Sequence, residues 1–145
     1  MIFKVDKPIQ LTKNIWLHEL ACHDEDNSLN HESELVYVLQ NFIDKMEVEL
    51  KQYVYVIITS AYRTPEYNAK LKNASPNSQH IYGRAVDCKF YTLDADGIKT
   101  QIPPEFVHQM AQDMSLFTGM GLYDTFNHLD IRRNRFSVFD LRTGK

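Results

Sequence analysis

Two histidines and an aspartate set the chemistry open to this chain. His80 and Asp87 flank Gly83 in the run Ser78-Gln79-His80-Ile81-Tyr82-Gly83-Arg84-Ala85-Val86-Asp87, and His128 follows downstream in His128-Leu129-Asp130. Two imidazoles and one carboxylate suffice to hold a single Zn²⁺ and leave its fourth position to water, the arrangement of a catalytic rather than a structural site. Gly83 can turn the backbone sharply between a loop and a strand, which lets His80 and Asp87 face one point. His128 and Asp130 alternate within an extended run, so their side chains project from the same face.

On this reading zinc lowers the pKa of its water toward ~7 and polarises a scissile carbonyl, which permits amide hydrolysis near neutral pH. Asp130 then either takes the water's proton or, in a quieter role, orients His128 or pairs with Arg132. Arg63 either holds a substrate carboxylate or developing oxyanion, or is a turn residue paired with Glu66.

These residues need a framework, and composition says what kind. A chain of 145 residues with 43% hydrophobic and 24% charged residues suits one globular domain spanning 1–145. A net charge of −3 offers no electrostatic footprint for nucleic acid or an anionic membrane, so neither is an expected partner. Cys22 and Cys88 lack a metal-type spacing. A disulfide between them is open, and two reduced, buried thiols are the expected state. The amino-terminal run Met1-Ile2-Phe3-Lys4-Val5-Asp6-Lys7-Pro8 lacks the apolar core of a secretory signal, and no later run reaches the ~20 apolar residues of a membrane span. The expectation is a protein made in the cytoplasm, with no membrane insertion, acting as a monomer.

The elements follow from periodicity. Leu35, Val36, Val38, Leu39, Phe42, Ile43, Met46 and Leu50 recur at three- and four-residue spacing, which predicts an amphipathic helix over 33–50. Val54-Tyr55-Val56-Ile57-Ile58-Thr59 is β-branched and aromatic and reads as a buried strand, followed by a loop Ser60–Pro65 that carries Arg63. Pro65 opens a short helix through Leu71, and Asn73–Ser78 is a loop by composition. Gly83–Tyr91 reads as a strand with Ala85, Asp87 and Lys89 on one face and Val86, Cys88 and Phe90 on the other, which carries Asp87 away from the core into a cleft.

Pro103 and Pro104 open a helix to about Phe117 with Phe106, Val107, Met110, Met114 and Phe117 as its apolar stripe. A turn at Gly119-Met120-Gly121 is expected next, then strands over 121–123, 127–132 and 135–141, the last two forming a terminal hairpin. The sum is an α+β domain with a small, largely antiparallel sheet flanked by helices.

Ser78-x-His80-x-x-Gly83-x-Ala85-x-Asp87 resembles the Ser-x-His-x-x-Gly-x-Ala-x-Asp signature of the zinc D-alanyl-D-alanine carboxypeptidase family. Thr59-Ser60-Ala61-Tyr62-Arg63-Thr64-Pro65-x-Tyr67-Asn68 is similar to that group's Ser-Gly-Tyr-Arg-Thr-Pro-x-Tyr-Asn segment, with Ala61 where glycine is usual. Gly119-x-Gly121-x-Tyr123, Phe126-x-His128-x-Asp130-x-Arg132 and the early Glu19-Leu20-Ala21-Cys22 resemble one branch of the family, so the likeness runs from about residue 16 to 132.

The resemblance implies a hedgehog/DD-peptidase-like fold, one zinc ion held by His80, Asp87 and His128, and hydrolysis of a peptide bond in bacterial peptidoglycan stem peptides or cross-links. It also implies that Arg63 acts in catalysis and substrate binding, with Ser78 a second substrate-binding residue. Many relatives carry an acidic base three positions before the last zinc ligand, where this chain has Thr125, so Asp124 and Asp130 are the alternatives. Asp130 is preferred because it shares the face of His128. A compact wall-cutting domain without a leader fits a phage lysin that reaches the cell wall after release, and a cytosolic dipeptidase is the other setting. A rival keeps the zinc without the reaction: a non-catalytic module that binds cell-wall peptides.

Overall fold

The computed structural model describes residues 2–72 and 74–144; Met1 and Asn73, the latter the first residue of the expected loop, lie outside the described residues. The chain opens with two short paired strands, β1 (Phe3–Lys4) and β2 (Ser28–Leu29), with a 3-10 turn, Leu17–Leu20, between them. Helix α1 (Ser33–Leu50) occupies the residues its periodicity predicts, and its buried residues are Leu35, Val36, Leu39, Phe42, Ile43 and Met46. That stripe covers one face of the main sheet, where Val54, Val56, Val86, Cys88, Phe90, Met120 and Leu129 complete the core. Phe42 sits at its centre, meeting Phe90 and Phe117 edge-on with ring centroids 5.5 and 5.4 Å away.

After α1 come β3 (Tyr53–Ser60), α2 (Pro65–Lys70), a second 3-10 turn (Gln79–Tyr82), β4 (Ala85–Leu93), β5 (Lys99–Gln101), α3 (Pro104–Met114), β6 (Gly119–Leu122), β7 (Asn127–Asp130) and β8 (Ser137–Asp140). The sheet runs β3-β4-β7-β6-β8, and β5 pairs with the far half of β4. The α+β class expected from sequence is the observed one, with a mixed sheet: β8 lies parallel to β6 while the other neighbours are antiparallel.

This parallel pairing corrects the expected terminal hairpin. Residues 131–136 carry the chain past β7, and β8 pairs on the free edge of β6 instead. Four smaller expectations also change. Strand β3 is buried on one face only, with Tyr53 and Ile57 each more than 40% exposed. Helix α2 stops at Lys70, with Leu71 extended. Helix α3 stops at Met114, where Ser115 turns left-handed; Phe117 is buried beyond the helix, and Phe106 faces outward. Gly119-Met120-Gly121 is strand, not turn, because it pairs with 128–130 of β7.

The register of the sheet is what places the site. Asp87 lies directly opposite His128, and Ala85 opposite Asp130. On the other edge of β7, Gly121 lies opposite His128 and Gly119 opposite Asp130. Directly paired residues of antiparallel strands hold their Cβ atoms within about 4.5–5.5 Å, so Asp87 and His128 meet on the face that the helices leave open. Among the described residues no helix is long and apolar enough to cross a membrane.

Candidate metal centre

His80 reaches the site from the 3-10 turn 79–82. Ser78 caps that turn by accepting the His80 N–H at 3.2 Å, and Gly83 ends it at φ +69°. A side chain at Gly83 would strike the backbone of Asn30 and His31, its Cβ falling 2.2 Å from the Asn30 oxygen, so the turn that aims His80 requires glycine for both conformation and space. Nδ1–H of the buried His80 ring donates to the Ala61 carbonyl at 2.6 Å, and this leaves Nε2 as the lone-pair nitrogen, 3.2 Å from Asp87 Oδ1. Ala61, the departure from the usual glycine, thus takes part through its backbone.

His128 stands between two carboxylates. Nδ1 points at Asp87 Oδ1 at 3.0 Å and Nε2 at Asp130 Oδ2 at 2.7 Å. His80, Asp87 and His128 each offer a ligand atom, all within 4.8 Å of one another. Around a tetrahedral ion with bonds of about 2.0–2.1 Å, ligand atoms stand roughly 3.3–3.4 Å apart, so the spacing from Asp87 to both rings already suits one zinc-sized cation. The donor set of two imidazoles and a carboxylate matches the preference of that metal, and the outward nitrogen of each ring has an acceptor that fixes its tautomer.

The electrostatics set the two rings apart. Burial pushes His80 below its ordinary value and outweighs the pull of Asp87, which keeps the ring neutral and fit to donate a lone pair. Burial would lower His128 too, but the hydrogen bonds to Asp130 and Asp87 overcome it and raise the ring. Asp87 lies well below the usual carboxylate range: burial alone would raise it, and the facing rings of His128 and His80 outweigh that. Asp130 is held down in the same way by Arg132 and His128 against its own burial.

Asp130 is fully buried, and Arg132 wraps its carboxylate, donating to Oδ1 from Nε at 2.9 Å and from the backbone at 3.0 Å. It touches the ring nitrogen of His128 that faces away from Asp87. A base must reach the water it deprotonates, and this carboxylate stands behind the histidine, so the expected proton-accepting role does not fit its position. Asp124, the alternative, is exposed and caps Thr143, accepting from its backbone N at 3.0 Å and its Oγ1 at 2.8 Å.

Arg63 is held by three partners, donating to Ser60 Oγ at 3.1 Å, Asn68 Oδ1 at 3.3 Å and Asp87 Oδ2 at 3.2 Å. The pairing with Glu66 considered from sequence gives way to Asp87, because the bulge between Ile58 and Ser60 brings the end of β3 alongside that residue.

These groups open onto a cleft of about 1500 Å³ whose lining includes Arg63, Ser78, His80, Asp87, Tyr123 and His128. Sequence reasoning missed its aromatic wall. Tyr123 stacks on Phe126 with centroids 4.3 Å apart, and Phe139 of β8 lies 5.6 Å from the His128 ring. The available signal was Gly121, where a Cβ would fall 2.3 Å from the Phe139 ring.

A family model described as Peptidase M15 matches residues 13–130, and the chain belongs to that family. Neither the curated proteins nor the solved structures contain a match to the chain.

Proposed function

With family membership as the premise, we propose that this protein is a zinc-dependent hydrolase of peptide bonds in bacterial peptidoglycan stem peptides or cross-links, of D,D-carboxypeptidase or endopeptidase type. The observation that carries the reading is the convergence of His80 Nε2, Asp87 Oδ1 and His128 Nδ1 at an open cleft. Zinc bound there supplies Lewis-acid polarisation of a carbonyl and makes water a nucleophile near neutral pH.

The chain's own residues do the rest. Ala61 and Asp130 lock the two rings in the tautomers that present Nε2 and Nδ1. Arg63 lines the cleft beside Asp87, where its guanidinium can hold a substrate carboxylate or the oxygen on which charge develops. Donors of that kind contribute on the order of 10²–10³ in kcat. Ser78 spends its oxygen lone pair on the His80 N–H and keeps its own O–H for a substrate carbonyl. We place this activity in a single domain that works as a monomer, and in a phage lysin setting it acts on the wall after release.

One observation favours a second reading. Among the described residues Asp87 is the one carboxylate lining the cleft, since Asp130 lies behind His128 and Asp124 caps Thr143. A module without a free base would bind wall peptides and leave them intact. Mass spectrometry of muropeptides after digestion of several wall types separates the two and identifies the cut bond. The hydrolase reading expects new fragments from the zinc-loaded protein and none from His128→Ala, which loses zinc as well. Intact wall with a fully zinc-loaded protein makes it the binder.

A further inference from the structure

The cleft is cationic in a chain that is not. Arg63, Lys72, Arg84, Arg132, Arg133 and Arg135 line it against Asp87 alone, although the whole chain carries 16 Lys and Arg, 19 Asp and Glu and a net charge of −3. Part of this charge is matched inside the protein. Arg63 pairs with Asp87 and Arg132 with Asp130, while Arg84 and Arg133 share the single carboxylate of Glu32. Lys72 and Arg135 have no ion pair or hydrogen bond among the described residues. Six cations against the three carboxylates Asp87, Asp130 and Glu32 leave three positive charges over, before any metal ion adds its own.

A concave surface lined by one sign of charge focuses its field and raises the local concentration of the opposite sign. The ligand that satisfies this cleft therefore carries several negative charges. Lys72 and Arg135 are the groups free to meet them. They sit on separate exposed segments, one after α2 and one after β7, and a carboxylate can neutralise them without breaking an ion pair that holds the site together.

Resting on the peptidoglycan-peptide reading, we propose that the cleft selects peptides whose side-chain carboxylates are free over the same peptides with side-chain carboxamides, with Lys72 and Arg135 as the specificity-determining side chains. An exposed pair contributes ~0.2–1 kcal/mol, so each interaction changes affinity by about 1.4- to 5-fold, and two together by about 2- to 30-fold.

The experiment uses two synthetic peptides of one wall-stem sequence with the same free terminus, one with free-acid and one with carboxamide side chains, on the zinc-loaded protein and on the Lys72→Gln/Arg135→Gln double variant. KM and kcat are measured for each pair, and binding to the metal-free protein is measured by titration calorimetry. The parent should show a KM and a dissociation constant about 2- to 30-fold lower for the free acid. That gap should close in the double variant, and shrink in the parent as salt rises from about 50 to about 300 mM, where the screening length shortens to roughly 6 Å. Equal affinity for the two peptides overturns the inference and leaves hydrolysis standing, as does a gap that the double variant keeps in full. Preferential binding of the free acid with neither peptide cut sinks the hydrolase reading and supports the selectivity.

Discussion

Asp130 is the residue whose role the structure changes most. Sequence places it on the face of His128, which is correct, but face alone does not say which side of the imidazole it takes. The carboxylate meets Nε2, while Asp87 meets Nδ1, and from this position we propose that Asp130 acts through the ring as its orienting partner. Groups that orient a metal-binding histidine typically contribute 10- to 100-fold in metal affinity. Asp130→Asn should therefore weaken zinc binding by about that factor in a competition titration, with kcat at saturating zinc kept within about tenfold. A drop in kcat of about 10²–10⁴ with zinc affinity unchanged is the signature of a proton acceptor and would return Asp130 to that role. At this scale the ligand types and the aim of Gly83 were legible in the sequence, because each depends on a side chain or a backbone angle within one short segment. The partners of Arg63 and Asp130 were not, because hydrogen bonding chooses among all neighbours in space.

Strands decide what the residues can reach. In β6 the alternation Gly119-Met120-Gly121 buries Met120 in the core and leaves the other face bare, and onto that bare face fold Asp130 and Phe139. Two glycines so close resemble a turn by composition, and they form a strand here because the close approach of neighbouring side chains, not chain reversal, requires them. A Cβ on Gly119 would fall 2.1 Å from Asp130 Oδ1. Gly119→Ala should push Asp130 off His128, at a cost of about 1–3 kcal/mol in denaturant unfolding together with weaker zinc binding. Gly97→Ala, whose Cβ meets nothing within 4 Å but whose φ of +79° disfavours alanine, is the control: it too costs stability, and it should leave zinc affinity as it is. Unaltered zinc affinity in Gly119→Ala would remove the strand floor from the account of the site. Helix α1 was readable to the residue because a 3.6-residue period over 18 residues admits few other structures. The parallel seat of β8 was not, since short strands with equal alternation fit several edges.

At the scale of the molecule, the site joins segments that no local structure holds together: the 3-10 turn with His80, β4 with Asp87 and β7 with His128. A cation bound by all three favours the folded chain over the unfolded one. At about 100 times its dissociation constant it adds ~2.7 kcal/mol. For a chain near 150 residues that is a rise in Tm of roughly 5–10 °C, which calorimetry with and without zinc measures, and His80→Ala should abolish most of it. Zinc that binds without raising Tm would mean that the three segments do not meet around it. The sequence by itself determined the candidate ligand types, the amphipathic helices, the α+β class and the family likeness, because residue chemistry, periodicity and motif spacing are written along the chain. Only the tertiary structure decided the register that sets Asp87 against His128, the side of the ring that Asp130 takes, the parallel strand at the sheet edge and the gathering of six cationic side chains in one cleft. Each of these is a choice among distant partners, settled by the summed packing and hydrogen bonding of the folded chain, which spacing within a segment does not encode.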